Sequence, residues 1–290
     1  MPRAIRSTDD LAALERAAER VELTGEQGPM VWHAWRPAVP ANASAQPPVV
    51  LLHGGSGSWT HWARNIAALV YAGRQVWVPD LPGFGDSARP PAGGDADALP
   101  APMEAALARL FGDAAVDLVG FSFGAMVGTL MAAAKPARVR RLVLSGAPAL
   151  GVNPGFRLVL RPWSGLAGEA LEAAHRHNLA TLMLARAESI DALALEIHAR
   201  NLARDRMKLR RLSRTLVVLE TLPKVRCPVV GIWGAEDTLY RGVGDRLEPA
   251  LASAPDFRWL AQIPGAGHWV QYEDWAAYDA LLAQALAEPA

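Results

Sequence analysis

The sequence predicts an α/β fold, a mostly parallel central sheet with helices on both faces. Three observations predict it. Short apolar runs alternate with amphipathic segments through the first half of the chain and again at its end. Glycine-rich turns follow the runs at 49–52, 116–119 and 229–233. Between about 148 and 225 the alternation stops and only helix-like spacing remains, so one large core of 1–147 and 226–290 is expected to carry a helical cap, 148–225.

The elements follow in order. Leu11, Leu14, Ala18 and Val21 lie at helical spacing, which predicts an amphipathic first helix capped by Ser7 or Thr8. A strand over 30–36 follows, paired with 21–23. Strand 49–53, helix 61–71 and strand 75–79 come next, and the proline, glycine and alanine of 86–102 predict a loop. Helix 103–111 leads to strand 116–119, helix 125–131 and strand 139–145. In the insertion, Leu179, Leu182 and Met183 and then Leu193, Leu195, Ile197 and Leu202 keep helical spacing. Strands 229–233 and 257–263 and a closing helix over 275–286 complete the core.

The chemistry-bearing stretch is Gly120-Phe121-Ser122-Phe123-Gly124, a serine between spaced glycines where a strand turns sharply into a helix. Such a turn pushes the hydroxyl outward, and the glycines admit close backbone neighbours. Alone the pentapeptide is weak in a chain with 25 glycines, and an ordinary turn is the competing reading. Its partners decide. A base is expected in His268, within the turn Pro264-Gly265-Ala266-Gly267-His268-Trp269. The orienting acid is expected in Asp237, with Glu236 as rival, just past strand 229–233. An oxyanion hole is expected from the backbone N–H groups of Gly55, in His53-Gly54-Gly55-Ser56-Gly57, and of Phe123.

These ordered signals, with Asp80-Leu81-Pro82-Gly83-Phe84-Gly85-Asp86-Ser87, resemble the α/β-hydrolase family, specifically its capped members. The resemblance spans most of the chain. It implies that the cap shapes the substrate pocket and that His53 supports its loop.

Composition bounds the rest. At 290 residues and 51% hydrophobic, the chain can bury a large core. Lys plus Arg and Asp plus Glu each number 29, so no global field draws it to nucleic acid or an anionic membrane. No segment approaches the about 20 apolar residues of a membrane span, and the charged first residues do not resemble a signal peptide, so a cytoplasmic location is expected. The sole cysteine, Cys227, reads as a buried spectator. Gly83-Phe84-Gly85-Asp86-Ser87-Ala88 imitates a dinucleotide motif, but Pro90 and Pro91 would break its helix. His53 and His61 lack a third metal ligand at a recognised spacing, and His33, His175, His177 and His198 get no metal role. Oligomeric state is not legible.

The expected mechanism needs neither metal nor organic cofactor. His268, oriented by Asp237, takes the Ser122 proton as the oxygen attacks a carbonyl, and water then releases an acyl-enzyme. A small to medium, partly apolar carboxylic ester is the first expectation for the substrate. The second is hydrolysis of a carbon–carbon bond in a vinylogous diketone, because Gly267-His268-Trp269-Val270-Gln271-Tyr272-Glu273 resembles the ring-cleavage-product hydrolases. Against it, Ser56-Gly57-Ser58 stands where those enzymes usually carry Gly-Pro-Gly. Arg200 to Arg214 holds seven basic residues and one acid, Asp205; it reads as a solvated helix face, or as the source of an arginine for a substrate carboxylate. Trp269, beside the base, is expected to be pocket wall or core. A non-catalytic ligand-binding protein and cofactor-free peroxide chemistry are the readings of other classes.

Overall fold

The computed structural model describes residues 5–25, 28–38, 46–89, 94–153, 157–207 and 210–289. Its centre is an eight-stranded sheet in the order β1-β2-β4-β3-β5-β6-β7-β8. The hairpin of β1 (Glu19–Gly25) and β2 (Gly28–Trp35) is antiparallel and joins β4 (Val76–Pro79) antiparallel. From β4 onward, β3 (Val49–Leu52), β5 (Val116–Phe121), β6 (Val139–Ser145), β7 (Val229–Gly234) and β8 (Phe257–Ile263) run parallel. The reason is visible in the burial. β3, β4, β5 and β7 are buried at every residue, so each is apolar on both faces save for Asp117 in β5, whereas the edge strand β1 is largely exposed.

Helices cover both faces. On one side α3 (Pro100–Phe111) and α4 (Phe123–Ala134) bury Met103, Leu107, Met126 and Met131 against Leu118 and Leu142. On the other, α2 (Ala63–Tyr71) and α10 (Trp275–Ala287) bury Ile66, Leu69, Tyr278 and Leu282 with Val119 and Val143. Between β6 and β7 stands the helical insertion: α5 (Gly168–Asn178), which continues as a π-helical turn over Leu179–Met183, then α6 (Ala192–Ala203) and the short α7 (Val217–Thr221). No helix among the described residues is long and apolar enough to cross a membrane.

Two boundaries differ from the sequence reading. The first helix, α1 (Thr8–Arg16), is capped by Ser7 in a reciprocal capping box with Asp10, but it stops before Ala18 and Val21. Val21 instead pairs with Trp32 in the hairpin, whose ladder outweighs one more helical turn. The proline-rich 86–102 is not all loop, since α3 begins at Pro100, a position where proline loses no helical hydrogen bond.

One buried charge cluster braces the N-terminal ends of the strands. Asp117 in β5 is fully buried, accepts both Arg140 Nε and Nη2 at 2.6 Å, and pairs with Arg74. Removing this carboxylate strands the buried Arg74 without its counter-ion. Asp117→Ala is therefore expected to cost about 3–5 kcal/mol, seen as a fall in Tm on the order of 10 °C by calorimetry.

Candidate active site

The parallel strands end together, with Leu52 beside Gly120, Phe121 beside Ser145 and Gly234 beside Ile263 in register. The loops that leave them therefore crowd one edge of the sheet, where open α/β sheets place ligands.

Ser122 stands on the turn between β5 and α4 with φ 51° and ψ −115°, a left-handed-side conformation that a serine adopts only when its surroundings impose it. They do. The Ser122 N–H donates to Ser145 O at 2.8 Å, a Cβ on Gly120 would lie 2.5 Å from Ala125 Cα, and one on Gly124 would lie 2.4 Å from Leu52 O. Both neighbours are backbone and cannot step aside. Ser122 is half-buried, and its hydroxyl makes no hydrogen bond with a described residue.

The 53–58 loop crosses this turn. A Cβ on Gly54 would sit 2.9 Å from the Phe121 ring and 3.3 Å from Ser122 Cβ, so only glycine lets the loop lie so close to the serine. The fully buried His53 holds it from below. Its Nε2 accepts the Leu81 N–H at 2.9 Å, which leaves Nδ1 to donate to Gly54 O at 2.8 Å. Burial lowers its pKa below the usual imidazole value, keeping it neutral. Asp80 anchors the neighbouring loop by accepting the Trp59 N–H at 3.0 Å and the Asp86 N–H at 2.8 Å, with its pKa raised by burial. The N–H groups of Gly55 and Phe123 donate to no described residue.

His268 and Asp237 meet as a buried pair: His268 Nδ1 lies 2.9 Å from Asp237 Oδ2, with the residues 3% and 1% exposed. An ionised carboxylate only accepts, so the proton sits on Nδ1 and Nε2 keeps its lone pair. Asp237 is fixed in turn by the Leu239 N–H on its other oxygen at 3.0 Å. The rival Glu236 points to solvent. His268 lies on Phe121, ring centroids 5.0 Å apart, and over Gly146, where a Cβ would come within 2.7 Å of its Cε1. Serine and imidazole thus flank the same residue, with no hydrogen bond between Ser122 Oγ and His268 Nε2.

A sequence model of the family described as alpha/beta hydrolase fold matches residues 47–191. This chain belongs to that family. Among curated relatives, the chain is 29% identical over 246 residues to the 2-hydroxy-6-oxononadienedioate/2-hydroxy-6-oxononatrienedioate hydrolase 1 of Dechloromonas aromatica, covering 78% of this chain and 81% of that one. It is 28% identical to the 2-hydroxy-6-oxo-6-phenylhexa-2,4-dienoate hydrolase of Burkholderia cepacia over 82% of this chain and 87% of that one. Among solved structures, a carboxylesterase from Bacillus subtilis superposes with a TM-score of 0.76 at 18% identity, covering 96% and 95% of the two chains, a likeness of fold.

The basic run is a solvated face only in part: Arg211 and Arg214 are exposed, but four other arginines are engaged. Arg200 pairs with Glu15 at 2.7 Å, Arg204 pairs with Asp86, and the Arg206 side chain donates to the carbonyls of Gly85 and Ser87. Arg210 donates to Ser56 Oγ and to Asp205 Oδ2, each at 2.9 Å, and Ser56 Oγ donates to Asp205 at 2.5 Å. These four arginines tie the insertion to the rest of the fold, because each finds a carboxylate, carbonyl or hydroxyl oxygen on α1 or on the core loops. Arg210 also lies against the serine-facing loop, where a Cβ on Gly55 would meet its Nη1 at 2.7 Å.

Glu273 was not legible from spacing, whereas Trp269 and Cys227 are core, as expected for Cys227 and as one of two readings for Trp269. Glu273 is buried and accepts the Gly267 N–H at 2.6 Å, the Ala185 N–H at 3.0 Å and the Arg186 N–H at 2.7 Å, tying the His268 turn to the insertion. Trp269 is wholly buried, stacked on Tyr272 at 4.2 Å with its Nε1 donating to His61 O, so it braces the turn from within. Burial pushes the Cys227 thiol up to about 12, leaving it an inert packing group.

Proposed function

We propose that this hydrolase cleaves a carbon–carbon bond in an anionic vinylogous diketone of the kind left by aromatic ring fission. Ser122 is the nucleophile, His268 the base, Asp237 its orienting acid, and the Gly55 and Phe123 amides the oxyanion donors. Residues 148–225 act as the cap over a core of 1–147 and 226–290. The observation that carries the bond type is agreement with curated relatives along about four-fifths of the chain, whose names specify dienoates and dienedioates. The cap brings a cation against the oxyanion loop in Arg210, whose guanidinium is shared with Asp205 and the Ser56 hydroxyl.

The chemistry sets the demand. A carbon leaving group departs only if its electrons have somewhere to go, so the hydroxydienoate first ketonises: the enol proton leaves and a proton is added at the carbon next to the ketone to be attacked, which leaves that departing carbon conjugated through one alkene to the second carbonyl, the sink. Ser122 Oγ attacks the ketone at the cleavage position while His268 takes its proton. The tetrahedral oxyanion rests on the two amides, the carbon–carbon bond breaks toward the conjugated carbonyl, and His268 returns the proton to the departing fragment. Water, deprotonated by His268, then releases the acyl group as a carboxylic acid. Ester hydrolysis, the first expectation from sequence, uses the same groups with an easier leaving group, but it has less support among the curated relatives.

The test compares a ring-fission dienoate, followed by loss of its absorbance, with short p-nitrophenyl esters. Turnover of the dienoate well above that of the esters is expected; ester turnover with none of the dienoate would overturn the reading. Arg210→Gln is expected to raise KM for the dienoate roughly 10- to 100-fold, the worth of a hydrogen bond to a charged group, and to leave KM for a neutral ester unchanged.

A further inference from the structure

Two buried histidines grip one glycine from opposite sides. Gly54 O accepts from His53 Nδ1 at 2.8 Å, and the Gly54 N–H donates to His61 Nδ1 at 3.2 Å. The first contact orients the peptide between residues 54 and 55, which is the unit that carries the Gly55 N–H. The second orients the peptide between 53 and 54. Glycine has the widest conformational freedom of any residue, so neither plane is set by its own sterics, and both need an outside partner.

His61 is built to be that partner. It lies in the 3₁₀ turn Trp59–Trp62, capped by Ser58, whose Oγ also donates to Asn201 Oδ1 of α6 at 2.7 Å. Its ring lies 5.6 Å from that of Phe121, next to the serine, and 5.0 Å from that of Trp269, next to the base. Its carbonyl accepts Trp269 Nε1 at 3.0 Å. The loop wraps it so closely that a Cβ on Gly57 would come within 2.5 Å of its Cε1 and Nδ1. One residue thus joins the oxyanion loop, the serine turn and the histidine turn.

We infer that His61 is a positioning residue of the oxyanion hole: as a neutral, Nε2-protonated imidazole it accepts the Gly54 N–H and fixes the 53–54 peptide, on which the adjoining 54–55 peptide, held by His53 and carrying the Gly55 amide, is built. The inference rests on the reading of Ser122 as nucleophile and of Gly55 as a hole donor. The protonation state has a physical cause. Accepting the Gly54 N–H requires a bare Nδ1, and burial, with smaller electrostatic contributions from His53, His198 and His268, holds the pKa well below the usual imidazole value. The imidazolium would turn a donor toward a donor.

The rate at which a fluorophosphonate labels Ser122 reads the hole without knowledge of the substrate, because the phosphoryl oxygen occupies the oxyanion position. Wild type is expected to label and Ser122→Ala not to. His61→Phe keeps a ring and loses the acceptor; it is expected to label on the order of 100-fold more slowly, the cost of a displaced catalytic group, with the apparent affinity for the probe unchanged. His61→Asn places an amide oxygen the same number of bonds from Cα as Nδ1 and is expected to recover to within several-fold of wild type. If the Phe variant does not fold, His61→Leu serves the same comparison. Labelling of a folded Phe or Leu variant at the wild-type rate would overturn the inference, as would equally slow Asn and Phe variants. An unlabelled wild type would instead bring down the reading of Ser122 itself, and this inference with it.

Discussion

Ser122→Ala is expected to lower turnover of the dienoate by about 10⁴- to 10⁶-fold, with Tm within a few degrees of wild type. The size follows from the chemistry: without the hydroxyl no acyl-enzyme forms, and only binding and the oxyanion donors remain to help water attack. The small effect on stability follows from the geometry. Alanine inherits the same φ of 51° without added bulk, the Ser145 carbonyl still accepts the residue 122 N–H, and the lost hydroxyl had no described partner. Single-turnover kinetics on the dienoate, with fluorophosphonate labelling followed by mass spectrometry, check both parts. A folded wild type that turns over neither dienoate nor ester and takes no label would favour a ligand-binding protein on this fold. A Ser122→Ala variant as active as wild type would remove the serine from the chemistry.

What the sequence revealed and what it hid divide along a physical line. The strands of the parallel sheet were legible because burial on both faces demands unbroken apolar runs, as in Val49-Val50-Leu51-Leu52. The elbow was legible because its glycines answer to contacts a few residues away or to an adjacent strand: Gly120 meets Ala125 and Gly124 meets Leu52. The placement of Asp237 at a strand end and of His268 in the next turn followed from the order of the elements. Contacts between distant segments left no such trace. Nothing in the spacing of Arg204, Arg206 and Arg210 announces Asp86, the Gly85 carbonyl or Ser56 as partners, so a cationic run that fastens two parts of the fold reads as a solvated surface. His61 is a similar case. Read along the chain it is one more histidine near His53, and only the turn of the loop brings its Nδ1 under the Gly54 amide. Val21 was read both ways, as the last turn of α1 and as paired with strand 30–36: it satisfies a helical spacing locally, but its cross-strand partner Trp32 gives it a better place, so the pairing stands and the helix ends earlier.

The second large effect is expected at Asp237. Asp237→Asn should reduce turnover by about 10⁴-fold while leaving dienoate binding and Tm nearly unchanged, because asparagine keeps the shape and inverts the hydrogen bond. The structure fixes which way the new amide would face. Oδ1 of residue 237 accepts the Leu239 N–H at 3.0 Å, and only an oxygen can do so. The amide oxygen therefore stays there, and the NH₂ group takes the place of Oδ2, 2.9 Å from His268 Nδ1. Facing a donor, the imidazole must move its proton to Nε2 and present a bare Nδ1. Nε2 then cannot accept the Ser122 proton, so the base is lost without any atom being displaced. Glu236→Gln, one residue away on an exposed side chain, is expected to leave kcat and KM within twofold and serves as the control. Steady-state kinetics on both variants, with Tm measured alongside, decide the matter. An Asp237→Asn variant within tenfold of wild type would show that the carboxylate does not set the tautomer of the base, and a loss in Glu236→Gln instead would transfer the orienting role to that residue.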